Sequence, residues 1–160
     1  MKYTQAGTDR IPQLVRMRIE YIQHDHVRLC SADERIMPTR QPHCPDYYVR
    51  HVRHLNKDLF AFTAEDNGTV VAASLLQVIE KPSSPIFFIG RAGEALNVFT
   101  MPEYRRQGIS TALKKIIIAF ARQYRVGFLE LRDTEAAHPM HEKIGFAHHQ
   151  LTPPPVRRLL

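Results

Sequence analysis

No stretch of this chain approaches the run of about 18 apolar residues that a bilayer-spanning helix needs, so a membrane protein built on such helices is not expected. Residues 1–7 have no apolar core of the kind that marks a secretory leader, and the expected location is the cytoplasm. Cysteine is scarce. Cys30 and Cys44 are enough for one bridge by count, but in a chain without a leader two free thiols are the expected state. There is no internal repeat and no linker, so residues 1–160 are expected to form one domain, long enough to bury a real core.

The hydrophobic fraction of 44% and the charged fraction of 24% are those of an ordinary globular protein. The net charge is +6 and the pI near 9.6, with 16 of the 22 basic residues arginine. A surplus of this size attracts anionic ligands over a distance. Charge alone does not distinguish nucleic acid, a membrane face and a phosphorylated cofactor. The chain lacks the interleaved aromatic and basic strand pattern, or the recognition helix, that would favour nucleic acid.

Ile11, Leu14, Val15, Ile19 and Ile22 recur at helical spacing and predict a helix over residues 8–24, capped by Thr8 or Asp9, with Pro12 in its first turn. Residues 28–45 are polar, carry Pro38, Pro42 and Pro45, and read as a loop. Tyr48, Val52 and Leu55 mark a second helix ending near Lys57. Strands are expected over 59–64 and 70–79, joined by the turn Asp66-Asn67-Gly68, since Asn and Gly accept positive φ cheaply. Residues 81–93 read as a loop containing a short extended piece at 86–89, and 95–100 as a strand closed by Pro102. Ile109, Ala112, Leu113, Ile116, Ile117, Phe120, Ala121 and Tyr124 make one apolar stripe and predict a helix over 107–124. After Gly127, a strand over 128–131 and a helix over 135–143, stopped by Gly145, complete the regular part. Two further short strands are expected at 146–151 and 156–160. The unit of strand, long helix and strand from 95 to 131 implies a crossover between parallel strands, and the hairpin an antiparallel pair, hence a mixed sheet with helices packed on it.

The chemistry concentrates where the strand over 95–100 leads through a turn into the long helix. The first amides of a helix have no internal partners and carry partial positive charge, so a loop and helix start of this kind can hold a pyrophosphate. Gly108 permits close approach of the backbone to the phosphates, and Arg105 and Arg106 add charge at the same point. A glycine and arginines can equally open a helix in any αβ protein.

Arg105-Arg106-Gln107-Gly108-Ile109-Ser110 resembles the Q/R-x-x-G-x-G/A signature of the GNAT superfamily of acetyl-CoA-dependent N-acetyltransferases, with Ser110 as a departure in the last place. A second element of that family, A-x-x-L-Y-x-x-x-G-F, is similar to Ala137-His138-Pro139-Met140-His141-Glu142-Lys143-Ile144-Gly145-Phe146, in the order and spacing the family uses. The resemblance implies an α/β (α+β) fold: a mixed, mostly antiparallel sheet with helices on both faces and a splayed parallel strand pair that binds the cofactor. It implies that the backbone of Val98, Phe99 and Thr100 holds the pantetheine arm. One of those amides would face the thioester oxygen as an oxyanion donor. It places the pyrophosphate on Arg105, Arg106, Gln107, Gly108, Ile109 and Ser110. The amine would attack directly in a ternary complex, with no acetyl-enzyme and no need of either cysteine.

His141 stands where the family often has a tyrosine that protonates the departing thiolate. A histidine of ordinary pKa about 6.5 can donate near neutrality, or can simply pack beside Gly145. Thr134 stands where many members have an asparagine on the pantetheine, and its hydroxyl replaces only part of what an amide offers. The protonated amine needs a base, and Glu94, Asp133 or a bound water can serve. The expected acceptor is a primary amine of a small molecule or peptide; a second reading, kept open by His141 and Thr134, is an acetyl-CoA-binding sensor with little turnover. The pairs His24/His26, His51/His54 and His148/His149 fit no zinc pattern, so no metal is expected. The resemblance makes Tyr47 and Tyr48 acceptor-pocket candidates, with core packing expected of Tyr48 and packing or capping of Tyr104. Homodimers are common in the family, although nothing in the residue pattern points to one.

Overall fold

The computed structural model describes residues 1–21, 54–83, 85, 87–132 and 137–147. Among these residues five strands form one sheet in the order β1-β2-β3-β4-β5: β1 (Lys2–Gln5), β2 (Leu59–Asp66), β3 (Thr69–Glu80), β4 (Arg91–Thr100) and β5 (Phe128–Leu131). The first four pair antiparallel and only β4 and β5 run parallel. Among the described residues three α-helices accompany them: α1 (Ile11–Tyr21), α2 (Ile109–Gln123) and α3 (His138–Lys143).

The alternation of β2 and β3 explains the layering, because successive side chains point to opposite faces. On one face Leu14 and Met17 of α1 pack with Ala61, Val70, Ala73, Leu75 and Phe99. On the other, Ile109, Leu113, Ile117 and Ala121 of α2 pack with Phe60, Phe62, Ala72, Leu76 and Val78. Phe120 and Tyr124 extend this second core, their rings 4.7 and 4.9 Å from that of Phe60. Each fully buried branched or aromatic side chain contributes about 1.5–3 kcal/mol. The two helices are therefore held by burial on opposite faces.

The hairpin forms as its residues dictate: Asn67 (φ +48°) and Gly68 (φ +79°) are both left-handed, matching the twist of β2 and β3. Glu65 is buried and satisfied by Arg10 Nη2 at 3.0 Å and Thr4 Oγ1 at 3.1 Å, which ties the N-terminal segment to β2.

Several sequence expectations are corrected. The edge strand β1 was not foreseen, because its four residues, Lys-Tyr-Thr-Gln, show no apolar pattern. The first helix begins as a single 3-10 turn over Thr8–Arg10 that starts at Gly7, with no side-chain cap from Thr8 or Asp9. Strand β4 starts at Arg91, not at residue 95. Gly93 is no loop glycine: a Cβ there would lie 2.5 Å from Leu129 Cδ2 and 3.1 Å from Leu76 Cδ1, so the strand needs glycine to pack. Of the extended piece expected at 86–89, Phe87 makes an isolated bridge, residues 88–89 are a turn, and residue 86 lies outside the described residues. Phe146 is outside any strand. The expectations for the loop over 28–45, for most of the second helix, and for the strands over 148–151 and 156–160 lie outside the described residues.

Candidate functional site

Strand β4 changes partners along its length. Its parallel ladder with β5 runs from Ala92↔Phe128 to Ala95↔Leu131 and stops there. Beyond it, among the described residues, β4 continues to Thr100 against β3 alone. Between Leu96↔Leu75 and Phe99↔Ala73, the two residues Asn97 and Val98 oppose the single Ser74, a β-bulge. Asn97 takes φ +51° there, a conformation asparagine tolerates better than most residues. Arg18 on α1 donates from Nη1 to Asn97 Oδ1 at 3.0 Å and braces the bulge. From Leu96 to Thr100 the β5-facing edge of β4 thus leaves its sheet partner. Buried polar atoms collect at this point: Ser74 Oγ, Asn97 Nδ2 and Thr100 Oγ1 have no hydrogen-bond partner among the described residues.

The chain then makes a 3-10 turn over Pro102–Tyr104 and enters α2. Arg106 (φ +63°) and Gly108 (φ +76°) are both left-handed. Holding a non-glycine residue there costs about 1–2 kcal/mol, and such strain concentrates where the backbone must present groups to a ligand. Left-handed residues near a helix start turn successive N–H groups toward one side, a geometry that binds anions. The first intrahelical bond runs from Ala112 N–H to the Gly108 carbonyl at 3.0 Å, so the amides of Gly108, Ile109, Ser110 and Thr111 have no acceptor within the helix. A Cβ at Gly108 would meet no protein atom within 4 Å. The space in front of those amides is open.

Most of the expected cofactor residues converge on this corner. Val98, Phe99 and Thr100 lie on the part of β4 beyond its ladder with β5, and Arg105, Arg106, Gln107, Gly108, Ile109 and Ser110 form the turn and the helix start. Two of them offer only their main chain, because the side chains of Phe99 and Ile109 are buried in opposite cores. Arg105 donates from Nε to the Thr100 carbonyl at 3.0 Å and lies over the Phe99 ring at 5.5 Å, so it fastens the turn to β4. Arg106 is exposed. Gln107 Nε2 reaches the Glu103 carbonyl at 3.4 Å. The open approach, the uncommitted amides and the orphan Thr100 hydroxyl fit a ligand that carries phosphates and an amide-bearing arm.

Glu94 sits in the paired part of β4, opposite Gln77 and beside Glu130, three residues before the bulge. It is on neither the turn nor the helix start. Asp133 and Thr134 lie outside the described residues. Tyr104 packs against the α2 core and donates its hydroxyl to Asp66 Oδ2 at 3.1 Å. That bond to a carboxylate raises its pKa above the ordinary 10.0, helped by desolvation and by the charges of Asp66 and Glu103.

His141 is buried on α3 with its ring 5.9 Å from Phe146, and Gly145 (φ +92°) ends the helix after it. Its Nε2 lies 2.5 Å from Nζ of Lys114, a lysine of α2 that is itself only 3% exposed. Lys114 was missed in the sequence. The signal was a lysine set among Leu113, Ile117 and Ala121 on a helix whose stripe faces the sheet. Among the described residues no cluster of His, Cys, Asp and Glu is arranged to hold a metal, and no helix is long and apolar enough to cross a membrane. His54 bonds Asp58 at 3.0 Å. A cleft of about 810 Å³, lined by Lys81, Phe88, Arg91, Arg122 and Arg125, lies at the opposite ends of β4 and α2, about 20 Å along the helix from Gly108.

Residues 26–146 match the model of the acetyltransferase (GNAT) family. Solved structures of similar shape include a predicted acetyltransferase with acetyl-CoA from Clostridium acetobutylicum. It is 23% identical, with a TM-score of 0.74 over 92% of this chain and 90% of that one. A GCN5-related N-acetyltransferase from Ralstonia eutropha JMP134 is 22% identical, with a TM-score of 0.76 over 97% of each chain. Ribosomal-protein-alanine N-acetyltransferase from Brucella melitensis biovar Abortus 2308 is 17% identical, with a TM-score of 0.68 over 99% of this chain and 100% of that one. At these identities the likeness is one of fold. Among curated proteins none matches the chain.

Proposed function

The chain belongs to the acetyltransferase (GNAT) family, and from that membership we propose that it moves an acetyl group from acetyl-CoA to a primary amine of a small molecule or peptide, by direct attack in a ternary complex. The observation that carries this reading is the corner where β4 leaves β5 and α2 begins with uncommitted amides. The whole chain acts as one such domain; the full-length overlap with the Ralstonia protein supports this.

The cofactor's role is to supply an activated acyl group; everything else is done by this chain. Residues Gly108, Ile109 and Ser110 hold the pyrophosphate through main-chain N–H groups at the positive end of α2, and Arg105, Arg106 and Gln107 frame it. Val98, Phe99 and Thr100 take the pantetheine arm along the free edge of β4, with Thr134 as a further contact. An amide of that edge donates to the thioester oxygen as negative charge develops there, the type of contact whose loss costs about 10²–10³ in rate. His141 is the acid for the departing sulfur. Glu94 or Asp133, directly or through water, accepts the proton of the incoming amine. No metal takes part. The protein works in the cytoplasm, on neither nucleic acid nor membrane.

Two measurements test the proposal together. Acetyl-CoA should raise the melting temperature, and a panel of small amines and peptide N-termini should release free thiol from acetyl-CoA. Stabilisation without thiol release from any amine would convert the reading to an acetyl-CoA sensor. No stabilisation would reject it.

A further inference from the structure

Two basic groups meet inside the protein where the proposed acid stands, and their contact restricts the protons they can hold. Lys114 Nζ and His141 Nε2 are 2.5 Å apart, both in buried side chains. Were both groups cationic, neither nitrogen would offer a lone pair and two like charges would face each other away from water. The contact is a hydrogen bond only if the two together carry no more than one positive charge. With the proton on lysine, the ammonium donates to Nε2 and the imidazole carries its own hydrogen on Nδ1.

The surroundings hold the pair together. Lys114 Nζ also lies 3.7 Å from Met140 Sδ, and the Phe146 ring meets the imidazole edge-on at 5.9 Å. Among the described residues, the other charged side chains of the two helices point elsewhere. Lys115, Arg122, Glu142 and Lys143 are exposed, and His138 pairs with Glu142 at 3.4 Å. Lys114 stands about 9 Å along α2 from Gly108, on the helix whose start forms the proposed cradle.

We propose that Lys114 is a positioning and proton-lending residue for His141: it fixes the Nδ1–H form of the ring and refills Nε2 as Nδ1 gives up its hydrogen. This rests on the reading of His141 as the acid in acetyl transfer. As the carbon–sulfur bond breaks, the sulfur keeps the electron pair and takes the Nδ1 proton. A proton moves from Lys114 Nζ to Nε2, so the ring stays neutral and the lysine ends as an amine. The proton released by the attacking amine, passed on through water, then returns to Nδ1 while Nε2 hands its own back to Lys114. The pair thereby supplies a proton without ever forming a bare imidazolate or a buried double cation.

The test uses the full chain labelled with ¹⁵N-histidine and needs no substrate for its first part. Long-range ¹H–¹⁵N spectra report which ring nitrogen carries hydrogen, and the His141 signal is assigned by its loss in His141→Gln. The wild-type protein should show hydrogen on Nδ1 and a bare Nε2. Lys114→Met, which keeps a long side chain in the same space, should return hydrogen to Nε2, with folding checked by circular dichroism. Lys114→Arg keeps a donor that does not give up its proton, so it should preserve the Nδ1–H form. Turnover should fall about 10–100-fold in both variants, with KM for acetyl-CoA changing less than about 2-fold, within the range of a lost acid–base contribution. An unchanged ring form in Lys114→Met overturns the positioning role, and full turnover in Lys114→Arg overturns the proton-lending role. If no amine is acetylated by the wild type, the spectra still decide the first point, and the failure belongs to the proposed activity.

Discussion

The two ends of the proposed chemistry are built from different materials. The corner at Gly108 is made of main-chain donors, shaped by two left-handed residues and by a strand that loses its neighbour. The pair at Lys114 and His141 is made of side chains, buried between α2 and α3. A main-chain site tolerates changes of side chain as long as the backbone path survives. A side-chain site is lost with a single residue while the backbone stays intact. The first should therefore fail through shape and charge, the second through chemistry.

The largest effect should come from closing the corner. Gly108→Glu places a carboxylate in the open space before the amides and forces a side chain onto φ +76°. Affinity for acetyl-CoA should fall at least about 100-fold, about 2.7 kcal/mol, by calorimetry; unchanged affinity would reject the cradle. Next in size is the side-chain end. His141→Ala should lower turnover by about 10²-fold while acetyl-CoA affinity stays nearly constant. An unaltered pH–rate profile in that variant would assign His141 to packing.

A milder change sharpens the contrast within the corner itself. Arg106→Gly removes left-handed strain of about 1–2 kcal/mol but returns about 0.5–1 kcal/mol of flexibility to the unfolded chain. Stability should thus rise by about 1 kcal/mol or less, while loss of one exposed charge weakens acetyl-CoA binding about 2–5-fold. A loss as large as that of Gly108→Glu would mean that side chains, not amides, make the site. The smallest effect is expected at Tyr104. Its pKa is raised in the fold, so its bond to Asp66 stabilises fully below the unfolded value near 10. That stabilisation is lost as pH rises through the raised value. Tyr104→Phe should flatten this alkaline decline in melting temperature and leave neutral-pH binding unchanged.

The same contrast explains what the sequence made legible. The corner could be read because its constraints act on residue type at fixed spacing: glycine at the helix start, arginines before it and a strand ending ahead of them. The Asp66-Asn67-Gly68 turn and the stripe of α2 were readable for the same reason. The Lys114–His141 contact was not, because it joins residues 27 apart whose meeting depends on how α3 packs on α2. Gly93 misled for a related reason. Its need is the closeness of Leu129 and Leu76 across the sheet, which a local reading takes for a loop. The bulge at Asn97 likewise exists only in the register of β4 against β3.

The central claim is that free amides at the start of α2 grip a diphosphate. Calorimetry comparing acetyl-CoA with S-acetylpantetheine, which keeps the arm and thioester but lacks the nucleotide and its phosphates, tests it most directly. The structure predicts that acetyl-CoA binds at least about 100-fold more tightly, a difference of about 2.7 kcal/mol. Equal affinities would contradict it.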